Sequence, residues 1–383
     1  MANTLTDLMD TLIMPMALDV LRENLVMAEL VNQDYKSEAA SQNQTIRIPK
    51  PQAMGVAGDF VAATGSSSTD LDDPYVDITM SNWKYKQWEM SDKEAFDAVS
   101  SGILPSAASA AVKSIANAVD LSLLNLYTEI YNYYGTPGTT PDESSDIIGV
   151  GKILNDNLCP PDQRRLVLDT AAQAKFLDIY EKVNETGTNA ALVDASLGRK
   201  FGFDTYMDQL VPTHTKGTLA AATAIAAKAI YAIGDTAITL DDSGGGALTG
   251  TLVKGDRLTF AGDTTIYTVT AAATAAANEI DIVISPALVA ATADGTVATI
   301  KDAWVPNLAF HRDAMVLAMR PLQNAETVVN SNSVISVQTD PVSGIPLRLE
   351  TWRDPKYSTQ YWKFDVLYGV KLVRPELAAI LFG

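Results

Sequence analysis

An apolar stripe between residues 105 and 134 constrains the fold of this chain more than any other feature. Its members recur every three or four positions, the spacing of one face of an α-helix. They are Val112, Ile115, Val119, Leu123, Leu126 and Ile130. Pro105 suits the first turn of a helix, and Gly135 with Pro137 suits its end. Thirty residues predict a helix of roughly 45 Å, longer than most small domains are wide. We expect this helix to be the spine of the fold.

Upstream of the spine the hydrophobic period changes. Residues 1–44 carry Leu12, Leu18 and Leu21 at roughly helical spacing, which predicts an N-terminal arm. Residues 45–95 alternate at period two and enclose a tract rich in Gly, Ser, Thr and Asp, which predicts an extended β-ribbon loop. The alternating residues include Ile46, Ile48, Ile78 and Met80. A two-stranded ribbon is marginally stable alone, so we expect it to lie against a neighbouring copy.

Residues 96–213 combine the spine with an α/β layer. The pattern predicts helices over 142–157 and 171–183 and strands over 165–168 and 208–211.

The amino-acid composition changes at residue 214 and returns to that of the preceding segment at residue 303. Residues 214–302 are rich in Ala, Thr and Gly and contain short period-two runs separated by turn signals. These features predict an inserted all-β domain, either a sandwich or a barrel. The runs are 237–240, 252–253, 257–260, 266–269, 280–284 and 297–300. Residues 303–383 are predicted to complete the main fold with strands at 314–319, 347–352 and 360–370.

Charge and cysteine content limit the classes of function. The chain has 28 basic and 46 acidic residues in 383, a formal net charge of −18. It therefore lacks the cationic footprint of a sequence-specific nucleic-acid reader and of a protein that binds anionic membranes. Cys159 is the only cysteine, so an intrachain disulfide is impossible. Because Asp7 and Asp10 precede the first basic residue, we expect no signal peptide and synthesis in the cytoplasm.

The sequence carries no strong catalytic or metal-binding motif. His214 and His311 lack the spacing of a zinc pair, and Cys159 has no accompanying histidine motif. The Gly149–Lys152 run lacks the remaining residues of a phosphate loop. Asp241 and Asp242 precede a Ser-Gly run that is typical of a turn. We therefore predict a protein that is not an enzyme and needs no cofactor or metal.

Four segments carry a resemblance to a known family: residues 234–240 (GDTAITL), 248–262 (LTGTLVKGDRLTFAG), 310–317 (FHRDAMVL) and 367–376 (LYGVKLVRPE). With these segments the chain resembles the major capsid proteins of tailed bacteriophages with the Hong Kong 97-type fold, most closely the coat proteins of P-twenty-two-like podophages. The first two segments are similar to that family's inserted domain, the third to its return strand and the fourth to its carboxy-terminal signature.

The resemblance implies an α+β fold with an N-arm, an extended loop, a spine helix, an α/β layer and an inserted β-domain. It implies self-assembly of many copies into an icosahedral shell, found in the virion, that encloses double-stranded DNA without reading its sequence. A scaffolding protein and a portal are the implied partners. Candidate subunit contacts are Leu12, Leu18, Leu21, Ile46, Ile48, Ile78, Met80, Trp83, Trp88, Asp241 and Asp242. The alternatives are a surface-layer or adhesin-like protein and a hydrolase with scattered acidic residues.

Overall fold

The computed structural model describes residues 17, 26–34, 45–50, 74–92, 94, 103–180, 197–320, 333–339 and 345–383. The α-helices in these ranges are α1 Met27–Leu30, α2 Ile103–Leu124, α3 Ser144–Asp156 and α4 Thr170–Tyr180. The strands are β1 Thr45–Pro49, β2 Tyr75–Thr79, β3 Asn82–Ser91, β4 Tyr133–Tyr134, β5 Arg164–Leu168, β6 Arg199–Lys200, β7 Phe203–Met207, β8 Ala220–Ala221, β9 Ile225–Ala227, β10 Ala237–Asp242, β11 Leu248–Thr249, β12 Thr251–Leu252, β13 Arg257–Phe260, β14 Tyr267–Val269, β15 Ala273–Thr274, β16 Glu279–Ser285, β17 Ala298–Ile300, β18 Pro306–His311, β19 Met315–Arg320, β20 Ser333–Thr339, β21 Pro346–Asp354, β22 Thr359–Leu372 and β23 Ala378–Phe382.

The chain divides into two compact units. The first comprises residues 1–119 and 316–373, and the second comprises residues 120–315 and 374–383. Each unit contains helical residues and at least one β-sheet, so the fold is α+β, as predicted.

The first unit is built on a sheet in which the long strand β22 pairs with several partners. Its strands follow the order β19-β22-β21-β20, and β3 pairs with β22 along ten residues. Tyr368 in β22 is fully buried, and its hydroxyl donates a hydrogen bond to the carbonyl oxygen of Ala118 in α2 at 3.1 Å. The side chains of the spine therefore cover one face of this sheet.

The ribbon formed by β1 and β2 packs on the other face of the same unit. The two strands are antiparallel, with Ile46 opposite Ile78 and Ile48 opposite Val76. Gly369 in β22 permits the close approach, because a Cβ atom there would lie 2.7 Å from the carbonyl oxygen of Thr79. The predicted ribbon strands are confirmed, but the ribbon does not stand away from its own chain.

The spine helix α2 is shorter than the stripe predicted. It ends at Leu124 and tightens into a 3-10 turn over Asn125–Glu129, and β4 follows at Tyr133–Tyr134. The chain leaves the helix because Tyr133 and Tyr134 pair in parallel with β23, a strand at the far end of the sequence. One segment, Ala107–Glu129, is long and apolar enough to cross a membrane, but half of that window is buried within the structure, as in a core helix.

The second unit contains a mixed six-stranded sheet in the order β4-β23-β18-β5-β7-β6. Helix α3 packs against β23 and β4, and the Asp169 carboxylate caps α4 by accepting hydrogen bonds from the N–H groups of Ala171 and Ala172. The helices and the strand near residue 165 are confirmed. The strand predicted over 208–211 is wrong, because strand pairing ends at Met207 and Asp208 instead accepts a hydrogen bond from the N–H of Leu210 in a local turn.

Residues 220–300 of the second unit form a small barrel. Six antiparallel strands follow the order β17-β13-β14-β16-β10-β9, and a bridge between Ala226 and Val297 joins the two end strands. Each of the six predicted runs contains or overlaps a strand. The interior is apolar, with Phe260 at 2% exposure and Tyr267 at 0%.

Candidate assembly surfaces

The thiol and the two imidazoles among the described residues, those of Cys159, His214 and His311, are buried. No group of three or more His, Cys, Asp and Glu residues in the described part of the chain has a metal-binding arrangement. The Cys159 thiol is buried, and burial raises its pKa, which disfavours the nucleophilic thiolate. Burial likewise lowers the pKa of His311, whose Nδ1 accepts a hydrogen bond from the N–H of Asp313.

His214 lies in a buried cluster at the root of the barrel. The Tyr127 hydroxyl is 2.8 Å from His214 Nδ1, and His214 Nε2 is 2.9 Å from the Asp256 carboxylate. Asp256 can only accept, so Nε2 donates and Nδ1 accepts the proton of the tyrosine. Burial, followed by the charge of Asp256, raises the pKa of Tyr127 and keeps that proton in place. The side chains of His214 and Asp256 are 4% and 0% exposed, so no substrate reaches them.

Arg257 extends this cluster. Its Nη2 donates to the carbonyl oxygen of Ile130 at 2.9 Å, and its Nη1 donates to the Thr268 hydroxyl. The guanidinium lies 5.3 Å from the ring of Trp304 and 5.4 Å from that of Phe382. Desolvation lowers the pKa of Arg257 to about 9, so the group is still charged at neutral pH. These contacts hold the barrel against the rest of its unit, and no local sequence pattern predicts them.

Four of the predicted subunit contacts are buried within their own chain. Ile46, Ile48, Ile78 and Met80 are 0–3% exposed and pack in one core with Val316, Ala318, Leu367 and Val373. In the single chain these side chains offer little surface to a partner, and their contact with a neighbouring copy stays a prediction.

The two tryptophans of β3 have different environments. Trp88 stacks on Trp362, with ring centroids 6.1 Å apart and an interplanar angle of 8°. Trp83 is 41% exposed and has the Lys363 ammonium 5.8 Å from its ring. The neighbouring Tyr85, which sequence reasoning did not select, is 64% exposed. Trp83 thus remains available for a contact, whereas Trp88 belongs mainly to its own sheet.

Residues 83–87 are exposed on both faces of β3. The strand pairs with β22 along one edge, and no described strand pairs with the other. Along β3, the exposed rings of Trp83 and Tyr85 alternate with the exposed ammonium groups of Lys84 and Lys86, so the rings and the positive charges lie on opposite faces of the strand.

The two acidic candidates at the barrel turn also differ. Asp242 is 2% exposed and accepts hydrogen bonds from the N–H groups of Thr223, Ala224 and Gly246. These hydrogen bonds lower the pKa of the Asp242 carboxyl, and the one from the N–H of Thr223 contributes most. The Asp242 side chain therefore stabilises the turn. Asp241 is half-buried, and burial, together with Asp294, raises its pKa.

An exposed aliphatic surface lies at one end of the barrel and was missed by the sequence analysis. We define the barrel patch as Ile230, Ile233, Val283 and Val289, which are 79, 69, 46 and 58% exposed. Gly234 N–H donates to the carbonyl oxygen of Leu288 at 2.8 Å, and Val283 pairs with Ala237, so these segments are neighbours. Ile230, Ile233 and Val289 lie in irregular loops, which have no hydrophobic periodicity, so the sequence pattern did not reveal this surface. Leu12, Leu18 and Leu21 lie outside the described residues.

Comparisons with known proteins identify the fold. No family model matches the chain, and no curated protein matches it in sequence. Among solved structures, a chain of Mycobacterium phage Che8 matches with a TM-score of 0.51 and 14% identity, covering 93% of this chain and 90% of that one. The capsid of cyanophage P-SCSP1u matches with a TM-score of 0.46, 9% identity and coverage of 94% and 88%. The mature capsid of bacteriophage PhiM1 matches with a TM-score of 0.45, 11% identity and coverage of 91% and 86%. The chain thus shares its fold with a chain of phage Che8 over nearly the full length of both.

Proposed function

We propose that this chain is a major capsid protein that self-assembles into the icosahedral shell of a tailed bacteriophage and performs no catalysis. The observation that carries the proposal is the fold shared with a chain of phage Che8 over nearly the full length of both. The segments 248–262 and 367–376, which resemble coat-protein signatures, support it independently. In this proposal the fold is of the Hong Kong 97 type and the barrel is its inserted domain.

The charge of the chain suits a shell that encloses DNA. A net charge of −18 lets packaged DNA lie against the wall without adhering, because carboxylates repel phosphates. Its location is then the virion, after synthesis in the host cytoplasm. A scaffolding protein and a portal complete the proposed set of partners. No described feature favours the surface-layer or hydrolase alternatives.

Negative-stain electron microscopy of the overexpressed protein, with and without a candidate scaffolding protein, tests the proposal. We expect closed shells or curved sheets of uniform thickness. A protein that stays monomeric under all these conditions would refute a self-assembling coat.

A further inference from the structure

The loop that follows α3 presents an apolar side chain to solvent in a backbone conformation that glycine usually adopts. Leu158 is 90% exposed and has a φ of +57°. Its N–H donates to the carbonyl oxygen of Asn155 at 3.0 Å, and the N–H of Cys159 donates to that of Leu154 at 2.9 Å. This pair of hydrogen bonds is a Schellman motif, and Leu158 holds the position in it where glycine is usual. A leucine there is strained and buries no apolar surface, so the stability of the folded chain gives no reason for it.

The rest of the same loop is apolar and fixed by hydrogen bonds. Pro160 and Pro161 are both exposed. The buried Arg164 guanidinium donates from Nε to the carbonyl oxygen of Pro160 at 2.7 Å and from Nη2 to that of Cys159. We define the α3 knob as Leu158, Pro160 and Pro161. Because its backbone is already held in one conformation, a contact through the knob costs little conformational entropy.

An aromatic groove lies on one face of the sheet in the first unit. Trp83, Tyr85 and Gln87 alternate along β3 and therefore point to one face, and Lys363 of β22 lies directly opposite Gln87 on that same face. These four residues and Ser81 line a groove of about 360 Å³, which we call the β3 groove. The rings of Trp83 and Tyr85 are 41% and 64% exposed. The Lys363 ammonium lies 5.8 Å from the Trp83 ring and helps to orient it.

We propose that the α3 knob of one copy docks in the β3 groove of a second copy. Proline rings pack on aromatic faces, which is how aromatic-lined grooves recognise proline-containing segments. The groove volume falls in the range of clefts that bind small ligands, roughly 300–1,000 Å³, and so accommodates a few apolar side chains. The occupant is a second copy because a shell places many copies side by side, and each copy offers both an exposed groove and an exposed knob.

The inference rests on the proposed shell function and names two surfaces that join the subunits. Because the knob and the groove are different surfaces, the contact is heterologous, and it joins copies into rings where the rotation between them closes.

Leu158→Gly tests the knob without weakening the fold. The variant should keep its thermal stability, because relief of the strain at a φ of +57° offsets the greater freedom of glycine in the unfolded chain. It should nevertheless weaken self-association in sedimentation velocity by about tenfold or more, because the contact loses its most exposed apolar side chain. Ile148→Ala, at an apolar position of α3 that is 51% exposed, is the matched control and should leave association unchanged.

Trp83→Thr/Tyr85→Thr tests the groove. Threonine keeps the strand propensity of β3 while both rings are removed, so the variant should fold, and circular dichroism checks this. Its self-association should also weaken by about tenfold or more. The matched control is Lys84→Thr/Lys86→Thr, which changes the opposite face of the same strand and should associate within about threefold of the wild type.

Mixing the two variants tests whether the knob and the groove meet each other. The Leu158→Gly chain keeps an intact groove, and the groove variant keeps an intact knob. An equimolar mixture should therefore form a heterodimer that does not grow further through this contact. Failure of the mixture to associate, with both variants impaired alone, would overturn the pairing. Normal association of either variant would overturn this contact while leaving the proposed function intact, and a wild-type chain that never associates would overturn both proposals.

Discussion

Asp208 is a buried carboxylate at the end of β7. It is 4% exposed, and its Oδ2 atom has no hydrogen-bond partner among the described residues. Burial raises the pKa of the Asp208 carboxyl, and the hydrogen bond from Leu210 offsets part of that effect. At pH values between the ordinary pKa of an aspartate and the raised pKa of Asp208, the folded chain therefore binds more protons than the unfolded chain. The free energy of unfolding falls as the pH rises through this window.

We expect Asp208→Asn to stabilise the protein at pH 7 by about 1 kcal/mol, because it removes a desolvated charge and keeps an oxygen for Leu210. Thermal denaturation at pH 7 and at about pH 2 measures the effect, which should largely vanish at the lower pH, where the Asp208 carboxyl is protonated in both the folded and the unfolded state. Asp178→Asn, at an exposed position of α4, is the control and should have little effect at pH 7. If Asp208→Asn instead destabilises the protein at pH 7, surrounding groups must already offset the desolvation cost of the Asp208 charge, and the prediction is wrong.

Gly149 in α3 is a packing residue and has no phosphate-binding role. A Cβ atom there would lie 2.2 Å from Cζ of Tyr134, whereas one at Gly151 would lie 3.4 Å from Cε2 of Phe203. We expect Gly149→Ala to destabilise the protein by about 1–3 kcal/mol through overpacking. Gly151→Ala should be neutral or stabilise it by up to about 1 kcal/mol, because alanine favours a helix. Urea denaturation measures both; equal effects of the two substitutions would contradict the difference in packing.

At the scale of elements, the ribbon of β1 and β2, which the sequence predicts to be a subunit contact, packs on residues of its own chain. Its apolar face is covered by residues of its own unit. Hydrogen exchange at Thr45–Pro49 and Tyr75–Thr79 should therefore already be slow in the monomer. Gly369→Ala should accelerate it, because the new Cβ atom would collide with the backbone of Thr79. Exchange that is fast in the monomer and slows only after assembly would instead support the ribbon as a subunit contact.

Elements that are determined by residues close in sequence were predicted well, and elements that are determined by pairing with distant residues were not. Five of the six barrel strands were predicted, because turn residues such as Gly255 with a φ of +98° and Gly295 with a φ of +77° separate them, whereas β9 was missed. The early end of α2 was missed because β4 is fixed by pairing with β23, about 245 residues away. Likewise, His214 and Asp256 are 42 residues apart, and only tertiary folding brings them into contact.

For the whole molecule, the boundary between arm and core can now be placed. Met27, Ala28, Leu30 and Val31 are 0–4% exposed, and the carbonyl oxygen of Asn32 accepts a hydrogen bond from the N–H of Leu317 at 2.9 Å. Residues 27–32 thus belong to the folded first unit. Before residue 26 the structure describes only Ala17, which is also fully buried.

We expect deletion of residues 1–25, which removes Leu12, Leu18 and Leu21 but only one small side chain known to be buried, Ala17, to leave the monomer folded and to block shell formation. Deletion of residues 1–31 is the matched comparison and should destabilise the monomer by several kcal/mol, because it also removes four buried apolar side chains. Far-ultraviolet circular dichroism and thermal denaturation report folding, and electron microscopy reports shells. Normal shells from the shorter deletion would show that the arm is dispensable for assembly, whereas an unfolded monomer would show that the leucines belong to the core.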